Sequence, residues 1–216
     1  MQVNEPGPTA ASTEETHGAA APTLRKRPKP GERRVQILQA LAAMLEQPGA
    51  ERVTTAALAA RLGVSEAALY RHFASKAQMF EGLIDFIEQS VLTLVNQITE
   101  RELPAHDKAA QVVRVLIQFA EKNPGMTRVM VGDALVFENE RLQQRMNLFF
   151  DKLEAALKQV LRDGAAAEGS AAPTVDAQAR AAALTALVLG QLQRFARSGF
   201  RRMPSEHLDA SLALML

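Results

Sequence analysis

Residues 53–76 read VTTAALAARLGVSEAALYRHFASK, and the placing of caps and apolar positions within them predicts a helix, a tight turn and a second short helix. Thr54 stands where its hydroxyl can accept one of the backbone N–H groups that open a helix without an internal partner. Ala57, Leu58 and Leu62 follow at helical spacing. Gly63 ends that helix where the chain must turn left-handed, a conformation that the missing Cβ makes cheap. Ser65 is placed to cap a second helix over 66–73. Helix, tight turn, helix is the layout of a DNA reader whose second helix enters the major groove.

The residue types on the second helix favour DNA over an ordinary helical corner. Ala68 and Leu69 suit the interior, while Tyr70, Arg71 and His72 crowd the C-terminal half with Glu66 at its start. Tyr70 and His72 can bond phosphates or base edges while their rings contact sugars or thymine methyls. Ser75-Lys76-Ala77-Gln78 then fits a capping box, with Ser75 at the N-cap and Gln78 at N3. A further helix therefore starts at Lys76, and its free N–H groups together with the Lys76 charge form a phosphate anchor.

Working outward, residues 1–30 are rich in Pro, Ala, Thr and Gly and are expected to form a disordered arm. Arg25, Lys26, Arg27, Lys29, Arg33 and Arg34 cluster just before the first helix and are expected to track phosphates, with salt-dependent binding. The net charge of the whole chain is only +1, so distribution matters more than total. A content of 47% hydrophobic residues is ample for a core, and the absence of cysteine rules out disulfides, thiolate metal sites and cysteine nucleophiles. No apolar run reaches the roughly 20 residues that cross a bilayer.

No strand pattern emerges, and the expected fold is all-α. Helix 1 is expected over 32–47 with Val35, Leu38, Leu41, Ala42 and Leu45 inward, stopped by Pro48-Gly49. Later helices are expected over 76–100 and 106–123. A further helix opens at Pro124 with Asn123 as its cap, and Gly132-Asp133 marks a kink. A long helix then continues through Phe137, Leu142, Met146, Phe149, Leu153, Leu157 and Leu161 to Gly164. Residues 164–173 read as a mobile loop, and Thr174 is placed to cap a helix over 175–198 in which Gly190 permits close approach of another helix. A short helix over 205–216 ends the chain. This divides it into the arm (1–30), a helix-turn-helix domain (31–75) and a helical dimerisation and partner-binding domain (76–216).

A single reader covers half a site, and two copies about one helical turn apart read a palindrome. The two late helices are long, apolar on a broad face and far from the reader, and a second copy packed on them gives a four-helix interface. The alternative is that both are core of one subunit.

The 53–76 block, placed ahead of a larger helical domain, resembles the TetR family of DNA-binding regulators. VSEAALYRHF (64–73), the apolar spacing of 79–90, KNPGMTRVMVGDALVFENERLQQRMN (122–147) and LRD (161–163) resemble more narrowly the nucleoid occlusion factors within that family. That resemblance implies a homodimer on palindromic double-stranded DNA, associated with the nucleoid in the cytoplasm. It implies a protein partner as well, the tubulin-like division protein FtsZ, whose polymers such factors antagonise. Carried over by motif position, it assigns Thr54, Thr55, Tyr70, His72 and Lys76 to DNA, to which the reading of the second helix adds Ser65 and Arg71, and Phe86, Val115, Gln118, Lys122 and Asn123 to FtsZ. Val115, Gln118 and Lys122 depart from residues the family carries there.

Periodicity alone leaves that second site open. The helix over 76–100 (helix 4) has an inward arc through Phe80, Ile84, Ile87, Val91, Leu94 and Ile98 with Phe86 at its edge, and the helix over 106–123 (helix 5) carries a polar stripe of Gln111, Arg114, Gln118 and Lys122. The two could enclose a groove with Phe86 as floor and Arg114 and Lys122 as cationic rim, suited to an acidic tail, or Phe86 could be plain core. Three other readings compete. Met126, Met130, Phe137, Met146, Phe149 and Phe150 could line an effector pocket of an ordinary ligand-responsive repressor. An enzyme is disfavoured: His17, His72, His106 and His207 are scattered, and no nucleophile, metal or cofactor-binding motif is present. A membrane-surface helix is disfavoured because the polar side of helix 4 is acidic. Glu138 and Glu140, amid Arg141 and Arg145, read as pairing along one helix surface.

Overall fold

The computed structural model describes residues 1–2, 31–47 and 52–216. The arm with Arg25, Lys26, Arg27 and Lys29, and the Pro48-Gly49 stop, lie outside the described residues. Three helices come first: α1 (Glu32–Leu45), α2 (Thr55–Leu62) and α3 (Glu66–Tyr70). Helix α4 (Lys76–Thr99) leads away from them, and α5 (Ala105–Lys122) returns. The short α6 (Pro124–Met130) and a 3-10 turn (Asp133–Leu135) precede α7 (Glu140–Ala167), α8 (Pro173–Arg197) and α9 (Leu208–Met215). No strand occurs among the described residues.

One continuous apolar core runs from Ile37 in α1 to Leu212 in α9. In α1 the buried line is Ile37, Leu41 and Leu45 with Ala42, while Val35 is 53% exposed and Leu38 half-buried. Val35 was expected inward; two residues from Ile37 on a helix is about 200°, which turns it to the far side. In α4 the buried seam passes through Val91, Val95 and Ile98, and Leu94, one residue or about 100° from Val95, is 45% exposed.

The long helix expected to run through Phe137 starts later. Asn139 caps α7 by accepting the Arg141 N–H at 3.1 Å, so residues 136–138 form a turn in which Val136 and Phe137 are 71% and 66% exposed. Leu142, Met146, Phe149, Leu153, Leu157 and Leu161 are buried as their spacing predicts. The segment expected as a loop is largely helical: α7 continues to Ala167, then Gly169 turns left-handed (φ 79°) while the Ser170 N–H returns to the Ala165 carbonyl. Helix α8 opens on Pro173, and Thr174 gives it no cap. Ser170 does the local work instead, donating to Asp176 at 2.8 Å and accepting from the Ala172 N–H at 3.1 Å.

Helix α6 joins the two halves. It packs on α1 on one side and α8 on another, and a Cβ at Gly125 would lie 2.0 Å from the Ala42 carbonyl oxygen. Only glycine lets the two backbones meet there. Asn123 precedes α6 without capping it through its side chain: the amide donates to the Phe119 carbonyl at 2.8 Å. Thr127 closes the corner by donating to the Ala120 carbonyl at 3.0 Å. Helices α7 and α8 run antiparallel in close contact, and Gln178 donates to Glu154 across them at 2.9 Å.

Candidate nucleic-acid interface and partner groove

The start of α2, its stop and the start of α3 are made by the residues expected to make them. Thr54 accepts the Ala57 N–H at 3.2 Å. Val53 and Leu58, the two positions of a hydrophobic staple, are both buried. Ala59, rather than Ala57, is the alanine of α2 that faces the core. Gly63 caps α2 in the left-handed region (φ 64°, ψ 39°), and the N–H of Val64 returns to the Ala59 carbonyl at 3.0 Å. Ser65 accepts the Ala68 N–H at 3.3 Å. Helix α3 is shorter than expected and ends at Tyr70, but the Phe73 N–H still bonds to the Leu69 carbonyl.

Two fully buried side chains, Leu69 and Phe73, anchor this segment and decide what faces out. Tyr70 is 45% exposed, Arg71 is exposed and His72 is half-buried. Arg71 makes no hydrogen bond or ion pair within the described residues, so its guanidinium is available to a ligand. Thr55 is partly committed: its hydroxyl donates to Glu66 at 2.6 Å and so fixes α2 to α3.

The start of α4 is a capping box shifted by one residue. Ser75 accepts the Gln78 N–H, while Gln78 accepts from the Ala74 N–H at 2.9 Å instead of from Ser75. Lys76, expected as a free phosphate anchor, is ion-paired with Glu138, and its ammonium lies 5.7 Å from the Phe80 ring. Arg34, expected among the phosphate-tracking cations, is also engaged internally: its guanidinium covers the Phe73 ring at 4.1 Å and donates to the His72 carbonyl. Aromatic rings and protein acceptors compete with phosphate for both cations.

Sequence reading missed Glu138 as a partner of the reader. It placed the acids near Arg141 and Arg145 on one helix surface, whereas the pairs run between helices. Arg141 bonds Glu81 at 2.5 Å, and Arg145 bonds both Asp85 and Glu88 at 2.5 Å. Burial disfavours the Arg145 charge, but the hydrogen bonds and charges of Glu88 and Asp85 outweigh it and raise its pKa further above the ordinary arginine value. Acids on α4 facing bases on α7 were the signal, visible only once the two helices are placed side by side.

Further along α4, Phe86 is 47% exposed and lies 6.3 Å from the Phe119 ring at a 39° tilt. Val115 is half-buried, and Gln118 and Lys122 are exposed along α5. Asn123, at the end of α5, turns its amide back to the Phe119 carbonyl, and the Phe86–Phe119 ring contact joins α4 to α5. Phe119 was not singled out from the sequence. Arg114, expected on the rim, is held by Asp209 of α9 at 2.8 Å, which leaves Lys122 as the exposed cation of the stripe.

The residues considered for an effector pocket divide between core and surface. Met130, Met146 and Phe149 are core, Phe150 packs edge-on to Phe149 at 5.1 Å, and Phe137 faces solvent. Two open pockets, of about 580 Å³ and 240 Å³, lie at the other end of the bundle around Thr99, His106 and Asp163 and around Ala165 and Arg180, and contain none of them. On the outer side of α7 and α8, Leu148 is 53% exposed and Ala179, Ala182, Ala183 and Ala186 are exposed. A Cβ at Gly190 would meet nothing within 4 Å, so the approach expected there is not made within this subunit.

Comparison with known proteins gives two family matches. Residues 37–83 match the model of bacterial regulatory proteins of the tetR family. Residues 106–216 match a tetracyclin repressor-like C-terminal domain of the SlmA-like type. The nucleoid occlusion factor SlmA of Vibrio cholerae is 50% identical over 184 residues, covering 85% of this chain and 93% of that protein. Its counterpart in Photobacterium profundum is 52% identical over 178 residues, covering 82% and 90%. Among solved structures, the fatty acid degradation regulator FadR of Bacillus halodurans superposes with a TM-score of 0.70 at 13% identity, covering 88% of this chain and 97% of that one. The TetR family regulator PfmR of Thermus thermophilus gives 0.65 at 21%, covering 84% and 97%. At such identities the likeness is one of fold.

Proposed function

This chain belongs to the TetR family of bacterial regulatory proteins and, within it, to the SlmA nucleoid occlusion factors, and on that premise we propose that it binds chromosomal DNA as a homodimer and restrains cell division there. It is a DNA-binding protein of the cytoplasm and nucleoid, not an enzyme. Thr54, Thr55, Ser65, Tyr70, Arg71, His72 and Lys76 form its DNA surface: Tyr70 and Arg71 reach the groove, while the capped starts of α2, α3 and α4 offer N–H groups to phosphates. Helices α7 and α8 supply the dimer contact through Leu148, Ala183, Ala186 and Gly190.

The division partner is FtsZ, taken into the α4–α5 groove. The observation that carries this is the half-exposed Phe86–Phe119 ring pair beside Lys122. A monomeric core has no use for an aromatic pair left open next to a cation, whereas a short acidic-apolar tail needs both. Val115, Gln118 and Asn123 shape the same groove. Helix α4 carries the DNA anchor at its start and Phe86 further along, so occupancy of the first site can bias the second. The test is pelleting of FtsZ polymers with the full-length protein, with and without bound DNA. Loss of pelletable polymer, greater with DNA, is expected. Unchanged polymer under both conditions overturns the reading and returns the chain to the alternative of a ligand-responsive repressor.

A further inference from the structure

Four arginines fall within nine residues at the end of α8 and just after it: Arg194, Arg197, Arg201 and Arg202. All four are exposed, and the one ion pair any of them makes within the described residues is the long contact of Arg202 with Glu206 at 3.9 Å. In a chain whose net charge is +1, this is a local concentration of unneutralised charge.

The turn that displays them is built. Gly199 and Phe200 are both left-handed, at φ 62° and 64°, and a phenylalanine adopts that conformation only where its surroundings hold it. They do: the Phe200 ring packs edge-on to Phe195 at 5.1 Å and under the Arg128 guanidinium at 5.2 Å. The Ser198 hydroxyl accepts the N–H groups of both Arg201 and Arg202, at 3.1 and 2.9 Å, and Pro204 is buried beyond them. Both arginines are thereby presented from a fixed backbone: the Arg201 Nε–H donates to the Ser198 carbonyl at 3.0 Å and leaves the terminal guanidinium nitrogens outward, while Arg202 makes its long contact with Glu206.

The turn also lies at the reader's end of the molecule. Helix α7 begins beside α4, where Glu138 holds Lys76. Helix α8 runs back antiparallel to α7 through the Glu154–Gln178 contact, and equal steps from that contact bring Arg194 level with residue 138. Arg128, which covers Phe200, belongs to α6, and α6 packs directly on α1 of the reader.

We propose that the arginine turn at residues 194–202 is a second, sequence-independent contact to the DNA backbone, made by the dimerisation domain rather than by the helix-turn-helix. Guanidinium groups suit phosphate through their paired, fixed donors, and α6, whose Arg128 covers Phe200, links the turn to α1 of the reader. The inference rests on the DNA-binding reading. Its test measures duplex affinity of the full-length protein against salt, with a short mixed-sequence duplex as probe. Arg201→Gln with Arg202→Gln should flatten the slope of log affinity against log salt by roughly two to four per dimer, with thermal melting unchanged. Arg201→Lys with Arg202→Lys should keep the slope. An unchanged slope in the Gln variant, when Arg71→Gln flattens it, overturns this inference alone. Failure of the unaltered protein to bind any duplex at low salt overturns it together with the DNA-binding reading. Loss of binding to phosphatidylglycerol vesicles without a change in DNA slope also overturns it and makes the turn a lipid contact.

Discussion

The Lys76 ammonium and the Glu138 carboxylate are paired across 62 positions of sequence, joining the first residue of α4 to the turn before α7. Glu138 is only 10% exposed at its side chain. The cation nearest the capped start of α4 is therefore held by the turn before α7, and a phosphate arriving there would compete with Glu138 for it. On the proposed reading, phosphate contact and the α4–α7 junction would share this one side chain, with Glu81–Arg141 and Arg145 with Asp85 and Glu88 as the next rungs along the same seam.

Removing the competitor should favour DNA. Glu138→Gln is expected to tighten binding and steepen the salt slope by roughly one to two per dimer, because each freed Lys76 adds a phosphate contact. Lys76→Gln should weaken binding about equally on all sequences. Fluorescence anisotropy over a salt series checks both, and an unchanged slope in Glu138→Gln would remove Lys76 from the interface.

The α4–α5 groove can be separated from DNA binding. Phe86→Ala and Lys122→Ala are expected to abolish the effect on FtsZ pelleting and leave duplex affinity unchanged. Phe86 is already half-exposed, so its removal should cost no more than about 1–1.5 kcal/mol of stability. A variant that still acts on FtsZ at full strength contradicts the assignment.

Dimerisation through α7 and α8 predicts that a charge on the outer stripe splits the molecule. Ala186→Glu, at an exposed position beside the open Gly190, should sediment as a folded monomer and lose palindrome affinity by more than tenfold, about 1.4 kcal/mol or more. An intact dimer would place the interface elsewhere.

Gly125→Ala tests the joint between the halves. The added methyl would meet the Ala42 carbonyl oxygen at 2.0 Å, and overpacking against backbone costs about 1–3 kcal/mol, which lowers Tm by roughly 2–12 °C for a chain of this size. Calorimetry decides, and a wild-type Tm would mean that α6 does not press on α1.

Phe137 and Phe149 should behave oppositely, although both were read onto one helix face. Phe149→Ala empties a fully buried site and should destabilise by about 3–5 kcal/mol, whereas Phe137→Ser, at a side chain 66% exposed, should change denaturant stability by less than about 0.5 kcal/mol. Equal losses would show that 136–138 belongs to the core.

Local chemistry determined the helical elements and the reader. Thr54, Gly63, Ser65 and Ser75 act on backbone groups within a few residues of themselves, so their roles can be read from spacing alone. Burial along α4, α5 and α7 was legible for the same reason, since a helix repeats every 3.6 residues wherever it is placed. Where a competing local signal was overlooked, as with Asn139 ahead of α7, the reading put Phe137 inside when it lies outside. The three-dimensional packing alone decided which charges remain free. Lys76 and Arg34 look like phosphate ligands in the chain, yet Glu138, Phe73 and the His72 carbonyl engage them from elements 38 or more residues away, while the arginines beyond Ser198 look incidental and end up together on a rigid turn beside α6. An ion pair depends on distance in space, and one-dimensional spacing carries no information about it once the partners lie on different helices.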